Sequence, residues 1–81
     1  MTVTEAEAAL RLPENAEEFR NLWDSAQEGR EERYNMRSLA QRINPAMTEA
    51  DFDRQWQWCN ITSENYDVAV AEFVQLVAMT F

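Results

Sequence analysis

Ser63-Glu64-Asn65-Tyr66-Asp67-Val68-Ala69-Val70-Ala71-Glu72-Phe73-Val74-Gln75-Leu76-Val77-Ala78-Met79 decides the fold, because it admits both a strand and a helix. Val68-Ala69-Val70 alternates like a strand, and the run is rich in β-branched residues. Against that, Tyr66, Val70, Phe73, Val74 and Val77 recur at helical spacing, the run is long, and Ser63 ahead of Glu64 supplies a capping signal. No second segment offers a strand partner, and a lone strand leaves its backbone hydrogen bonds unmade. The expectation is therefore a helix over Tyr66 to Met79. Val68, Leu76 and Met79 fall on its other faces, so it is apolar nearly all round and lies either at the centre of a bundle or half covered by another chain.

Upstream of that helix the signals are helical as well. Thr4 with Glu7 reads as a capping box opening a short helix that stops before Pro13. Asn15 with Glu18 reads as a second box, followed by Phe19, Leu22, Trp23 and Ala26 in one apolar stripe. Gly29, the only glycine, stands where a C-cap is expected, with a helix running on through it the alternative at a cost of ~1 kcal/mol. Glu31 to Ile43 carries Met36, Leu39, Ala40 and Ile43 at the same spacing and ends at Asn44-Pro45, after which Thr48 with Asp51 caps a helix bearing Phe52, Trp56 and Cys59 on one face. The fold expected is all-α, a compact bundle of four to five short helices over residues 1–81, with Trp23, Leu39, Phe52, Trp56, Phe73 and Val77 in its core.

At 81 residues the chain is a single small domain, and its 46% hydrophobic content argues against disorder in spite of a net charge of −8. Fifteen Asp and Glu oppose seven basic residues, all Arg, with no Lys and no His. That removes a general base poised near neutrality, a Schiff-base amine and a P-loop lysine, so the expectation is a protein that is not an enzyme and needs no cofactor. Cys59 is the single cysteine, which precludes an intramolecular disulfide and a Cys-based zinc site. The first twelve residues have neither a basic n-region nor an apolar h-region, and no run approaches the ~18 apolar residues of a membrane span. A cytoplasmic protein is expected, with Asn60-Ile61-Thr62 an unused sequon. Residues 1–18 are net −4, residues 19–48 net +1 and residues 49–81 net −5, a basic centre between acidic ends.

Several short patterns are candidates for function. Glu49, Asp51 and Asp53 alternate like the start of a calcium loop, but Arg54 stands at the glycine position and Asn60 at the final bidentate position, so they read as macrodipole partners of a helix N-terminus. Asp24-Ser25 resembles the attachment site of acyl carrier proteins, also acidic helical domains of about this size. Those proteins follow the serine with an apolar-rich recognition helix, whereas Ala26-Gln27-Glu28-Gly29-Arg30 follows here, and the likeness ends at two residues. Arg30, Arg33 and Arg37 share one helical face at i, i+3, i+7 with no acid three or four residues before any of them, a stripe able to grip phosphates, a partner's carboxylates or acidic segments of its own chain. Leu39–Ile43, a five-residue turn and Glu49–Asn60 loosely resemble a helix-turn-helix, with three carboxylates where a recognition helix would meet phosphates. Trp56 and Trp58 stand ~200° apart on a helix, so Trp58, flanked by Asp53 and Arg54, is the expected surface aromatic and a hot-spot candidate for a protein interface.

The functional expectation is a small non-enzymatic protein that inhibits or regulates a macromolecular complex that handles nucleic acid. Its acidic surface would compete for a basic site on a protein partner, without direct nucleic-acid or membrane binding. Small size, high acid content and a missing catalytic kit are shared by many phage-encoded inhibitors, including anti-CRISPR proteins and DNA mimics; the likeness is one of type. The residues expected to meet the partner are Glu49, Asp51, Asp53, Arg54, Trp58, Arg30, Arg33 and Arg37. A second expectation is an adaptor that homodimerises through the apolar C-terminal helix.

Overall fold

A computed structural model describes residues 1–30 and 32–78 as five helices: α1 Val3–Leu10, α2 Pro13–Gln27, α3 Arg33–Ile43, α4 Glu49–Trp56 and α5 Tyr66–Ala78. Among the described residues there is no strand, so the ambiguity of Val68-Ala69-Val70 resolves to helix. Valine disfavours a helix by only tenths of a kcal/mol, and the burial of Ala69, Phe73, Val74, Leu76 and Val77 outweighs that penalty. Most of the apolar girth of α5 is used inside the chain: α1 makes the most extensive contact with it, and α3 and α4 also pack on it. Val74 and Val77 are core residues, while Val68 and Val70 stay half-buried. Met79, the last residue of the expected helix, lies outside the described residues.

Phe19, Phe52, Phe73, Met36, Leu39, Ile61 and Val77 are the largest fully buried side chains. Phe73 stacks obliquely on Phe19 with ring centroids 5.0 Å apart, and Tyr66 closes the same cluster against Phe19 and Trp23. Leu39, Phe52, Phe73 and Val77 are buried as expected; Trp23 and Trp56 lie at the margin of the core and pack against it. The radius of gyration, 11.3 Å, is close to the ~11.7 Å of a well-packed chain of this length.

Local chemistry fixes the helix boundaries, and several differ from those read in the sequence. The box at the start of α1 is formed by Thr2 and Glu5: Thr2 Oγ1 accepts from the Glu5 N–H at 3.1 Å, and the Thr2 N–H donates to Glu5 Oε1 at 3.2 Å. Thr4 with Glu7 repeats the pattern one step later, and the earlier box wins because it adds two residues of helix. α2 begins at Pro13, whose fixed φ suits the first helical position, with no side-chain cap. Asn15, expected as that cap, lies buried inside α2. Its Nδ2 donates to the Ala9 carbonyl at 2.9 Å and its Oδ1 accepts from Arg42 at 2.6 Å, tying the end of α1 to α3. Gly29 follows the α2 C-cap with φ +84°, the left-handed conformation expected of it.

That turn delays α3 to Arg33, so Arg30 precedes the helix and does not share its face, while Glu31 lies outside the described residues. The Thr48–Asp51 box forms at the head of α4 as the sequence predicts. α4 ends at Trp56, and Cys59 reaches the core margin from the following turn, its N–H donating to the Trp56 carbonyl. At the head of α5 the capping side chain is Asn65 in place of Ser63: its Oδ1 accepts from the N–H groups of Asp67 and Val68. Asn44, just past α3, is 6% exposed and donates Nδ2 to the Val77 carbonyl at 2.9 Å, fastening the far end of α5.

Candidate functional site

Charge is divided between two groups of helices. α1, α2 and α5 carry eight carboxylates and one Arg, net −7; α3 and α4 carry four Arg and three carboxylates, net +1. α1, α2 and the N-terminal half of α5 line one groove, while α3 packs on both α4 and α2.

On the α3–α4 side the charged residues named from the sequence come together as each other's counter-ions. Arg33 Nη2 lies 2.9 Å from Asp53 Oδ1, and Arg37 Nη1 lies 2.9 Å from Glu49 and 3.8 Å from that same Asp53 oxygen. The Asp53 oxygen is enclosed, yet aligned for a directed hydrogen bond with neither guanidinium, so these contacts are charge proximity. Arg37 is further covered by the Tyr34 ring, 5.0 Å from its guanidinium carbon. Asp51 is held by Thr48 and by Arg54 at 2.8 Å, and its carboxyl is lowered from the ordinary range chiefly by the Thr48 side chain. Arg30 pairs with Glu28. Arg30 and Arg33 border a cleft of about 340 Å³ floored by Met36 and walled by Trp56. Arg42, which the sequence reading did not single out, joins Glu18 and Asn15 across α2 and α3. Glu49, Asp51 and Asp53 are thus engaged one by one, and among the described residues no three His, Cys, Asp or Glu side chains converge as metal ligands.

The turn after α4 displays Trp58 at 79% exposure, while Trp56 stacks on Phe52 with centroids 5.6 Å apart. The outward aromatic is the one the spacing predicts, although a turn rather than a helix places it there. Beside it Cys59, half-buried, donates its Sγ–H to the Gln55 carbonyl. Burial, then the Glu72 charge, pushes its thiol up to about 12, so the single sulfur nucleophile of the chain is a neutral thiol.

On the other side, α1, α2 and α5 enclose a groove of about 360 Å³. Leu10, Ala16, Val70 and Val74 form its floor, Glu7 and Arg11 stand on its α1 side and Asp67 on its α5 side. Arg20, the one cation of these three helices, is placed over the Tyr66 ring at 4.1 Å. Glu18 is paired and Glu5 is committed to its cap; Glu7, Glu14, Glu17, Asp24, Asp67 and Glu72 make no ion pair among the described residues. The sequence reading missed this surface. The signal was available in the near-absence of basic residues from the stretches that became α1, α2 and α5, but their adjacency is a tertiary fact.

No family model, no curated protein and no solved structure matches the chain. No described helix is long and apolar enough to cross a membrane.

Proposed function

We propose that the chain is a non-enzymatic binding protein that inhibits or regulates a nucleic-acid-handling complex, seating its acidic side on a basic protein surface that otherwise receives nucleic acid. The observation that supports this reading is the division of charge: five of the seven arginines sit in ion pairs, and seven of the nine described carboxylates outside an ion pair belong to α1, α2 and α5. Glu49, Asp51 and Asp53, already neutralised by neighbouring guanidinium groups, are weaker phosphate mimics than the unpaired acids of the opposite side. A neutral Cys59 and the lack of His and Lys fit a binding role better than a catalytic one. The type resembles the DNA-mimic inhibitors encoded by phages.

The test is competition. With the partner recovered from the native host and purified, added nucleic acid should displace this protein, and added salt should weaken binding steeply. Binding that tolerates salt and coexists with nucleic acid on the same partner would overturn the proposal.

A further inference from the structure

We infer that the groove between α1, α2 and α5 is the docking site for a basic segment of a protein partner, one that lays apolar side chains on Leu10, Val70 and Val74 and directs Arg or Lys at Glu7 and Asp67. The inference rests on the acidic-side reading above and specifies where on that side the contact forms.

Three properties of the groove select this occupant. Its floor is aliphatic, and about 360 Å³ is within the range that holds side chains or a small ligand, so a purely electrostatic partner would leave it unfilled. Its two edges carry carboxylates from different helices, Glu7 on α1 and Asp67 on α5, neither in an ion pair among the described residues. Arg11 also stands on the α1 edge, so the rim alone is only slightly negative; the three helices behind it supply the rest of a net −7. A polyanion is repelled by that field, and a second copy of the chain docking by the same three helices would bring −7 against it. A segment in which apolar residues alternate with Arg or Lys at helical spacing satisfies both floor and edges, the pattern of helix-in-groove recognition.

Two synthetic peptides test this: a short Leu/Arg peptide with its leucines at i, i+3, i+4 and i+7, and a scrambled peptide of the same composition and charge. Binding is followed by NMR on the full chain through the methyl groups of Leu10, Val70 and Val74 and the backbone amides. The patterned peptide should move those methyls and the Glu7 and Asp67 amides, and bind at least tenfold more tightly than the scrambled one. Glu7→Gln combined with Asp67→Asn should weaken it about three- to tenfold, the range of two exposed charge pairs, while leaving the melt unchanged. Val70→Thr, which keeps shape and replaces one methyl with a hydroxyl, should weaken it separately.

Equal binding of both peptides, with shifts spread over the α1, α2 and α5 amides, would overturn the groove and leave the acidic-side reading standing. Shifts centred on Trp58 or on α3 and α4 would overturn both. Peptide seated in the groove while nucleic acid fails to compete on the native partner would overturn the proposed function and leave the groove.

Discussion

Replacing Asn44 tests whether one buried amide holds the end of α3 to the end of α5. Its Nδ2 donates to the Val77 carbonyl at 2.9 Å and its Oδ1 accepts from the Ala46 N–H at 3.3 Å, in a position 6% exposed. Asn44→Ala removes the side-chain donor that reaches the Val77 carbonyl among the described residues, at a cost of about 1–3 kcal/mol. For a domain of this size each kcal/mol lowers the midpoint by roughly 4–8 °C, so a drop on the order of 10 °C is expected. Asn44→Asp is the sharper variant, because it keeps the shape and the acceptor for Ala46 but turns an anionic oxygen toward a carbonyl oxygen. Near neutral pH it should be the worse of the two. Burial and that repulsion raise the carboxyl of the variant in the folded state, so its contribution is fully present below the unfolded value of ~3.9 and is lost as pH rises through the folded value. Once protonated, the carboxyl again offers a donor to Val77, and the deficit relative to the native sequence should narrow on acidification. Urea denaturation followed by far-ultraviolet circular dichroism, at neutral and mildly acidic pH, measures both effects. Two variants within ~0.5 kcal/mol of the native protein, or an Asp deficit that does not shrink in acid, would refute the reasoning.

The Cys59 thiol, raised to about 12 against an ordinary value of 9.0, should react with iodoacetamide at least ~100-fold more slowly in the native protein than in urea; equal rates would mean the thiol is not shielded. Glu5 and Asp51 both lie below their ordinary range, Glu5 chiefly through the Thr2 backbone N–H and Asp51 chiefly through the Thr48 side chain. A lowered carboxyl contributes stability that is complete above its unfolded value and lost as pH falls through the folded one, so Glu5→Gln and Asp51→Asn should each flatten the acid limb of the stability curve below about pH 4.5. Parallel curves for variant and native protein would remove the capping boxes as the cause. Trp58→Ala should leave the melting midpoint within a few degrees, since a largely exposed side chain away from the core rarely contributes more than about 0.5 kcal/mol. A large loss would place Trp58 in the fold.

Where a signal was local, the sequence reading reached the structure. The Thr48–Asp51 box, the left-handed Gly29 and the helical period of α5 each depend on residues within one or two turns, and all three are present. Where two local patterns competed, the choice turned on context, as at Thr2 against Thr4 and Asn65 against Ser63. Asn15 and Asn44 were illegible for a different reason. Each looks like a polar cap or helix stop in the sequence, and only the packing of α1, α3 and α5 supplies the buried carbonyls that they satisfy. Ile61 and Met47 are buried from loops, where no period marks a core position. The Arg33–Asp53 and Arg37–Glu49 contacts unite two groups of residues that the sequence could nominate separately but could not pair. The groove of α1, α2 and α5 was out of reach altogether, because its edges come from residues 60 positions apart.

The central claim is that the molecule has one strongly negative side, built by α1, α2 and α5, and one near-neutral side, built by α3 and α4. NMR relaxation by a cationic and an anionic nitroxide cosolute, compared amide by amide at low salt, reads that local potential without any partner. The account predicts strong enrichment of the cationic probe along α1, the exposed face of α2 and the head of α5, with nearly balanced effects along α3 and at Glu49, Asp51 and Asp53. A cationic-probe effect that is uniform over the surface, or greatest at Glu49 to Asp53, would contradict it.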